Sequence, residues 1–168
     1  KDRCKSSLDS FLYFFVEREV MKTLVNSATT KDITVLCGNR VSGKSYCLAS
    51  LANKIKDRTV YYFDSSFQIG HKNVNYLLER NGSVIIFDTN VLDIGEFKYI
   101  IDNRRKLHEN EIHIVIALNR SDRDNIAIIE NQDFAEIINL SSKLSFVEFN
   151  KINEKIAKIP LTPLSTQE

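Results

Sequence analysis

The chain has 168 residues, with 23 Lys and Arg against 22 Asp and Glu, and 43% of it is apolar. That size fits one domain with a real core, and five Gly and two Pro exclude collagen-like and linker-dominated chains. A net charge of +1 offers no general attraction to nucleic acid, and no apolar run reaches the ~18 residues of a spanning helix.

Residues 7–28 place Leu8, Phe11, Leu12, Phe15, Met21 and Leu24 at mostly helical spacings, which predicts one or two helices. Ile33–Cys37 is a short, fully apolar strand ending at Gly38, and a helix follows from about Lys44 to Lys56. Its inner face carries Leu48, Leu51, Ala52 and Ile55. Val60–Phe63 is a second strand, Asn73–Glu79 a helix and Asn81-Gly82 a turn. Val84–Phe87 is a third strand closed by Asp88, Gly95–Leu107 a single helix, and Ile112–Leu118 a fourth strand ending at Asn119-Arg120. Beyond Arg120 the pattern weakens. Ile126–Ile129 and Phe134–Ile138 read as short helical or extended pieces. Leu144–Phe149 alternates like a strand, and Lys155–Leu161 pairs with it or supplies the fifth core strand.

This alternation is the signature of an α/β fold with a mainly parallel central sheet of about five strands. Residues 1–30 read as a helical segment leading into a core at 31–168. Cys4, Cys37 and Cys47 are an odd count with no metal-ligand spacing, as expected of reduced thiols in an intracellular, cytoplasmic protein. The chain starts at Lys1 and its only Met is Met21, which suggests a piece of something longer.

Gly38-Asn39-Arg40-Val41-Ser42-Gly43-Lys44-Ser45 matches the phosphate-binding P-loop at every constrained position, between a strand and a helix. The glycines let the loop curl so that backbone N–H groups face a phosphate, and the helix adds its positive N-terminus. Lys44 is the cation for the β- and γ-phosphates, and Ser45 supplies a hydroxyl for Mg²⁺. Tyr46, next on the helix, joins the binding surface. Asp88 ends a buried strand at the sheet edge where ligands bind, which suits the Mg²⁺-side acid; Asp64, ending the second strand, is its rival. Thr89 and Asn90 stand where many such ATPases carry a catalytic Glu, so hydrolysis is expected to be slow or to need another group. Asp93 and Glu96 are candidates.

Asp88-Thr89 and Asn119-Arg120-Ser121-Asp122 each resemble part of the GTPase motif set. The 30 residues between Asp88 and Asn119 hold only one helix and one strand. Asn119-Arg120 is thus expected beside the γ-phosphate rather than the base, which favours adenine over guanine. Arg104-Arg105-Lys106 reads as a solvated helix face, or else as an arginine offered to a neighbouring subunit.

Together these residues resemble the signal-transduction ATPases with numerous domains (STAND), relatives of the AAA+ class. Phe15-Val16-Glu17-Arg18-Glu19 is similar to that family's hydrophobic-Gly-Arg-Glu motif, with Glu17 in place of the glycine. The P-loop, the Asp88 strand and the strand ending in Arg120 follow. Ile159-Pro160-Leu161-Thr162-Pro163-Leu164-Ser165 looks like a fifth strand running into the helical lid. The resemblance implies ATP or ADP with Mg²⁺ as ligands, Arg18 near the adenine or ribose, and Arg120 sensing the γ-phosphate. It also implies a nucleotide-dependent switch that controls oligomerisation, flanked by effector and sensor domains, with a homo-oligomer at full length. A GTPase-type domain and a nucleotide-binding scaffold without turnover are the alternatives, and neither a membrane nor a nucleic-acid partner is indicated.

Overall fold

The computed structural model describes residues 16–157, which divide into two compact units. Glu19–Ser142 forms the larger. It contains α1 (Met21–Thr30), β1 (Ile33–Gly38), α2 (Lys44–Lys54), β2 (Thr59–Phe63), α3 (His71–Leu77) and β3 (Ser83–Phe87). It continues through α4 (Ile94–Asp102), α5 (Arg104–Glu109), β4 (His113–Asn119), α6 (Arg123–Ile129) and β5 (Ala135–Leu140).

The five strands make one sheet in the order β2-β3-β4-β1-β5, and every neighbouring pair is parallel. Parallel strands need crossover connections, and the helices that provide them cover both faces. This is why β1, β3 and β4 are nearly continuous apolar runs. On one face, Val35 and Cys37 of β1, Phe87 of β3 and Ile116 of β4 share a core with residues of α3, α4, α5 and α6. On the other face, Leu36, Ile86 and Val115 are buried where α1 and α2 pack against the sheet. Here Ser27 and Thr34 satisfy each other's buried hydroxyls at 2.8 Å.

Three expectations need correction. The stretch from Gly95 to Leu107 is two helices, α4 and α5, broken at Asn103. The Asn103 side-chain amide donates to the Tyr99 carbonyl at 2.8 Å, and its backbone N–H also turns back to α4, which ends the helix. Among the described residues the fifth strand is Ala135–Leu140, paired with β1, while Lys155 and Ile156, which open the stretch expected to supply it, end a helix. Residues 158–168 and 1–15, where the Pro-Leu-Ser tail, Phe15 and the first predicted helical positions fall, lie outside the described residues.

Leu144–Phe149 is not a strand either. In the smaller unit, Phe146–Ile156 forms helix α7. Ser145 accepts from the Glu148 N–H at 3.2 Å while Glu148 accepts from the Ser145 N–H at 2.8 Å. This reciprocal cap sets the helix start and overrides a short apolar alternation.

Candidate functional site

Gly38 ends β1 where the chain must turn sharply. A Cβ there would lie 2.6 Å from Ser42 Oγ and 3.2 Å from the Leu140 carbonyl, so only glycine lets the loop close over the strand. Gly43 takes φ +91° at the mouth of α2, and the exposed Val41 takes φ +60° at the loop apex, a conformation that costs a β-branched residue. The loop thus curls over the N-terminus of α2, whose first turn carries Lys44 and Ser45.

Lys44 is only 5% exposed. Its ammonium donates to the carbonyls of Gly38 at 3.1 Å and Asn39 at 2.8 Å, and to Asn119 Oδ1 at 3.2 Å. Burial lowers its pKa, and the nearby Asp88 carboxylate opposes that shift. Ser45, one residue on, donates to Asp88 Oδ1 at 3.1 Å. Asp88 is 3% exposed, and its Oδ1 also accepts from the Thr89 N–H at 2.7 Å. Its Oδ2 accepts from the Tyr62 hydroxyl at 3.2 Å. Burial and the Asp88 charge both raise the Tyr62 pKa, so the phenol stays a donor. A hydroxyl and a carboxylate in contact at the edge of a phosphate loop form the hard-oxygen set that suits Mg²⁺, and Ser45 and Asp88 are the residues that would hold it.

The rival acid turns away. Asp64 is exposed and caps its own loop by accepting from the Ser66 N–H and hydroxyl, bonds that lower its pKa. Asp93 and Glu96 are engaged as well. Asp93 accepts from the N–H groups of Gly95 and Glu96 at 2.7 and 2.9 Å, closing a capping box on α4, and Glu96 Oε1 lies 2.9 Å from His71 Nδ1.

A cavity of about 380 Å³ lies over the loop, lined by residues that include Arg40, Lys44, Ser45, Tyr46, Thr89 and Asn119. Arg120 lies elsewhere. Its backbone N–H donates to the Gly38 carbonyl at 3.3 Å, but its side chain lines a second cavity of about 550 Å³ with Cys37, Arg123 and Asn139. The sequence expectation put Arg120 at the end of β4 facing the γ-phosphate; the side chain that reaches the P-loop lysine there is Asn119. Arg18 belongs to the smaller unit, where its guanidinium pairs with Glu148 at 2.8 Å. Arg105 pairs with Glu109 on the exposed face of α5, and Arg104 sits over the Phe134 ring.

The sequence placed Asn119 together with Arg120 beside the γ-phosphate, and it gave no sign of Tyr62. The end of β4 was visible for Asn119. Nothing local marked Tyr62, one aromatic among several on β2.

Two solved structures of the RuvB Holliday junction branch migration motor from Thermotoga maritima, one of them a point variant, resemble this chain. The first has a TM-score of 0.55 at 15% identity, covering 85% of this chain and 51% of its own. The variant has a TM-score of 0.56 at 16% identity with the same coverage. The fold is the P-loop NTPase fold. This chain spans about half the length of those structures. No protein-family model matches it, and no curated protein does. Among the described residues no helix is long and apolar enough to cross a membrane.

Proposed function

We propose that this P-loop NTPase fold binds ATP or ADP with Mg²⁺ and serves as a nucleotide-dependent switch or oligomerisation module within a larger protein, of the STAND type. The observation that carries the reading is the Ser45–Asp88 contact at 3.1 Å. It joins the phosphate loop to a buried acid two strands away in the sheet order, the pairing needed for a phosphate-bound divalent ion. Lys44 neutralises phosphate charge, backbone N–H groups of the loop orient the phosphates, and Asn119 and Thr89 face the same cavity.

Adenine is favoured over guanine because β4 lies between β1 and β3. That order brings Asn119 to Lys44 rather than to a base. Arg120 and Arg18 carry no role in this reading, since Arg120 lines a cavity with Cys37 and Arg123 and Arg18 pairs with Glu148 in the smaller unit. A second reading, a nucleotide-binding scaffold without turnover, draws on a specific observation. Thr89 follows Asp88, while Asp93 and Glu96 are committed to the α4 cap, so no carboxylate in this stretch is free to activate water.

Calorimetric titration with ATP, ADP and GTP, each with magnesium and with chelator, tests the reading. Magnesium-dependent binding of adenine nucleotides is the expected result. Preference for GTP supports the guanine alternative, and absence of binding by all three overturns the assignment.

A further inference from the structure

Tyr62 is the next-to-last residue of β2, an edge strand. The β2–β3 register pairs Tyr62 with Ile86, which places Asp88 two residues further along on the same face of the sheet. Diagonal neighbours of this kind are within reach of a long aromatic side chain. The Tyr62 hydroxyl spans that gap to Asp88 Oδ2 at 3.2 Å. The backbone is tied at the same place, since the Asp88 N–H donates to the Phe63 carbonyl at 2.9 Å. β2 therefore holds the acid by both main chain and side chain.

The two carboxylate oxygens are served differently. Oδ1 accepts from Ser45 and from Thr89, whereas among the described residues Tyr62 is the only donor to Oδ2. The terminal torsion of an aspartate is soft and roughly two-fold. A donor on each oxygen fixes the carboxylate plane, and without Tyr62 one oxygen of a buried charge loses its partner.

We propose that Tyr62 is a positioning residue for the Mg²⁺-side acid: its hydroxyl pins Asp88 Oδ2 so that Oδ1 stays turned toward Ser45. This rests on the P-loop reading above. Partners that orient a metal-binding side chain typically change metal affinity about 10- to 100-fold when removed. A half-buried tyrosine on an edge strand, with no sequence motif around it, thereby tunes how strongly the site responds to magnesium.

The test is Tyr62→Phe in the full chain, which deletes the hydroxyl and keeps the ring. ADP and a non-hydrolysable ATP analogue are titrated with magnesium and with chelator, and thermal midpoints are measured without nucleotide. The expected result is a gain in affinity on adding magnesium that is about 10-fold smaller than in the wild type, with chelator-condition affinity unchanged and the thermal midpoint somewhat lower, because a buried carboxylate oxygen loses its donor. Tyr62→Leu, which also removes ring packing, should lose the same magnesium gain and lower the midpoint further. A folded Tyr62→Phe protein with the wild-type magnesium gain overturns the proposal. Equal weakening in both conditions overturns it too, because that is the mark of a purely structural residue. If the wild type binds nucleotide and Lys44→Ala abolishes that binding, either result condemns only the Tyr62 proposal. A wild type that binds no nucleotide defeats the P-loop reading and this proposal with it.

Discussion

The Lys44 ammonium donates to Asn119 Oδ1 across 3.2 Å, joining the first turn of α2 to the last residue of β4. The other two acceptors of that ammonium are loop carbonyls, so all three are neutral. Anionic phosphate oxygens make stronger hydrogen bonds than neutral acceptors do and can displace them. Asn119 stands between the P-loop and the Asp88 strand, on the side where the terminal phosphate of a triphosphate would lie. Asn119→Ala should weaken triphosphate binding about fivefold, equivalent to ~1 kcal/mol, and leave diphosphate affinity unchanged. Parallel titrations of the two nucleotides read that difference, and an equal effect on both would move Asn119 away from the terminal phosphate.

Replacing Lys44 by Ala removes the cation while leaving the loop backbone in place. Triphosphate affinity should fall at least ~10-fold, or ~1.4 kcal/mol. Folding should survive, because burial works against the charge of this lysine and lowers its pKa. Calorimetry paired with thermal unfolding checks both halves, and a folded variant with full affinity would end the phosphate-loop assignment.

Asp88 and Asp64 close neighbouring strands and have opposite surroundings. Asp88→Asn should abolish the magnesium dependence of triphosphate binding, since an amide carries no charge for the cation. Asp64→Asn should leave that dependence intact, because Asp64 is exposed and bonded to Ser66. The reverse order would put the metal side of the site on β2.

Asp93 belongs to the α4 cap and not to the chemistry. Asp93→Ala should lower the thermal midpoint modestly, because the Gly95 and Glu96 N–H groups lose their acceptor at the start of α4. Nucleotide affinity and any turnover should stay at the wild-type level. Loss of turnover without loss of stability would restore Asp93 as a water-activating base.

Gly38→Ala inserts a methyl group 2.6 Å from Ser42 Oγ and 3.2 Å from the Leu140 carbonyl. The Ser42 side chain must move, and the loop must move with it. Nucleotide binding should drop at least ~10-fold with a lower thermal midpoint. Gly70→Ala is the control, since an added Cβ there meets nothing within 4 Å.

Some of this was readable in the sequence because it is local. The P-loop is eight consecutive residues whose glycines and lysine are required by the geometry of one turn. Val84–Phe87 and Ile112–Leu118 announce themselves as strands because both of their faces are buried. The capping pattern at Ser145 and Glu148 was equally local, and it outweighed the alternating apolar residues that suggested a strand from Leu144 to Phe149.

The sequence by itself determined the strand–loop–helix unit, the acid at the end of β3 and the α/β class, since each depends on residue types within a few positions. Only the tertiary structure decided what meets across the sheet. Lys44 and Asn119 are 75 residues apart, and Tyr62 and Asp88 are 26 apart. Their contacts follow from the strand order β2-β3-β4-β1-β5 and the pairing registers. The same order chose Ala135–Leu140 as the edge partner of β1. No short window of sequence encodes that choice, because parallel pairing is set by which crossover helices cover which face of the finished sheet.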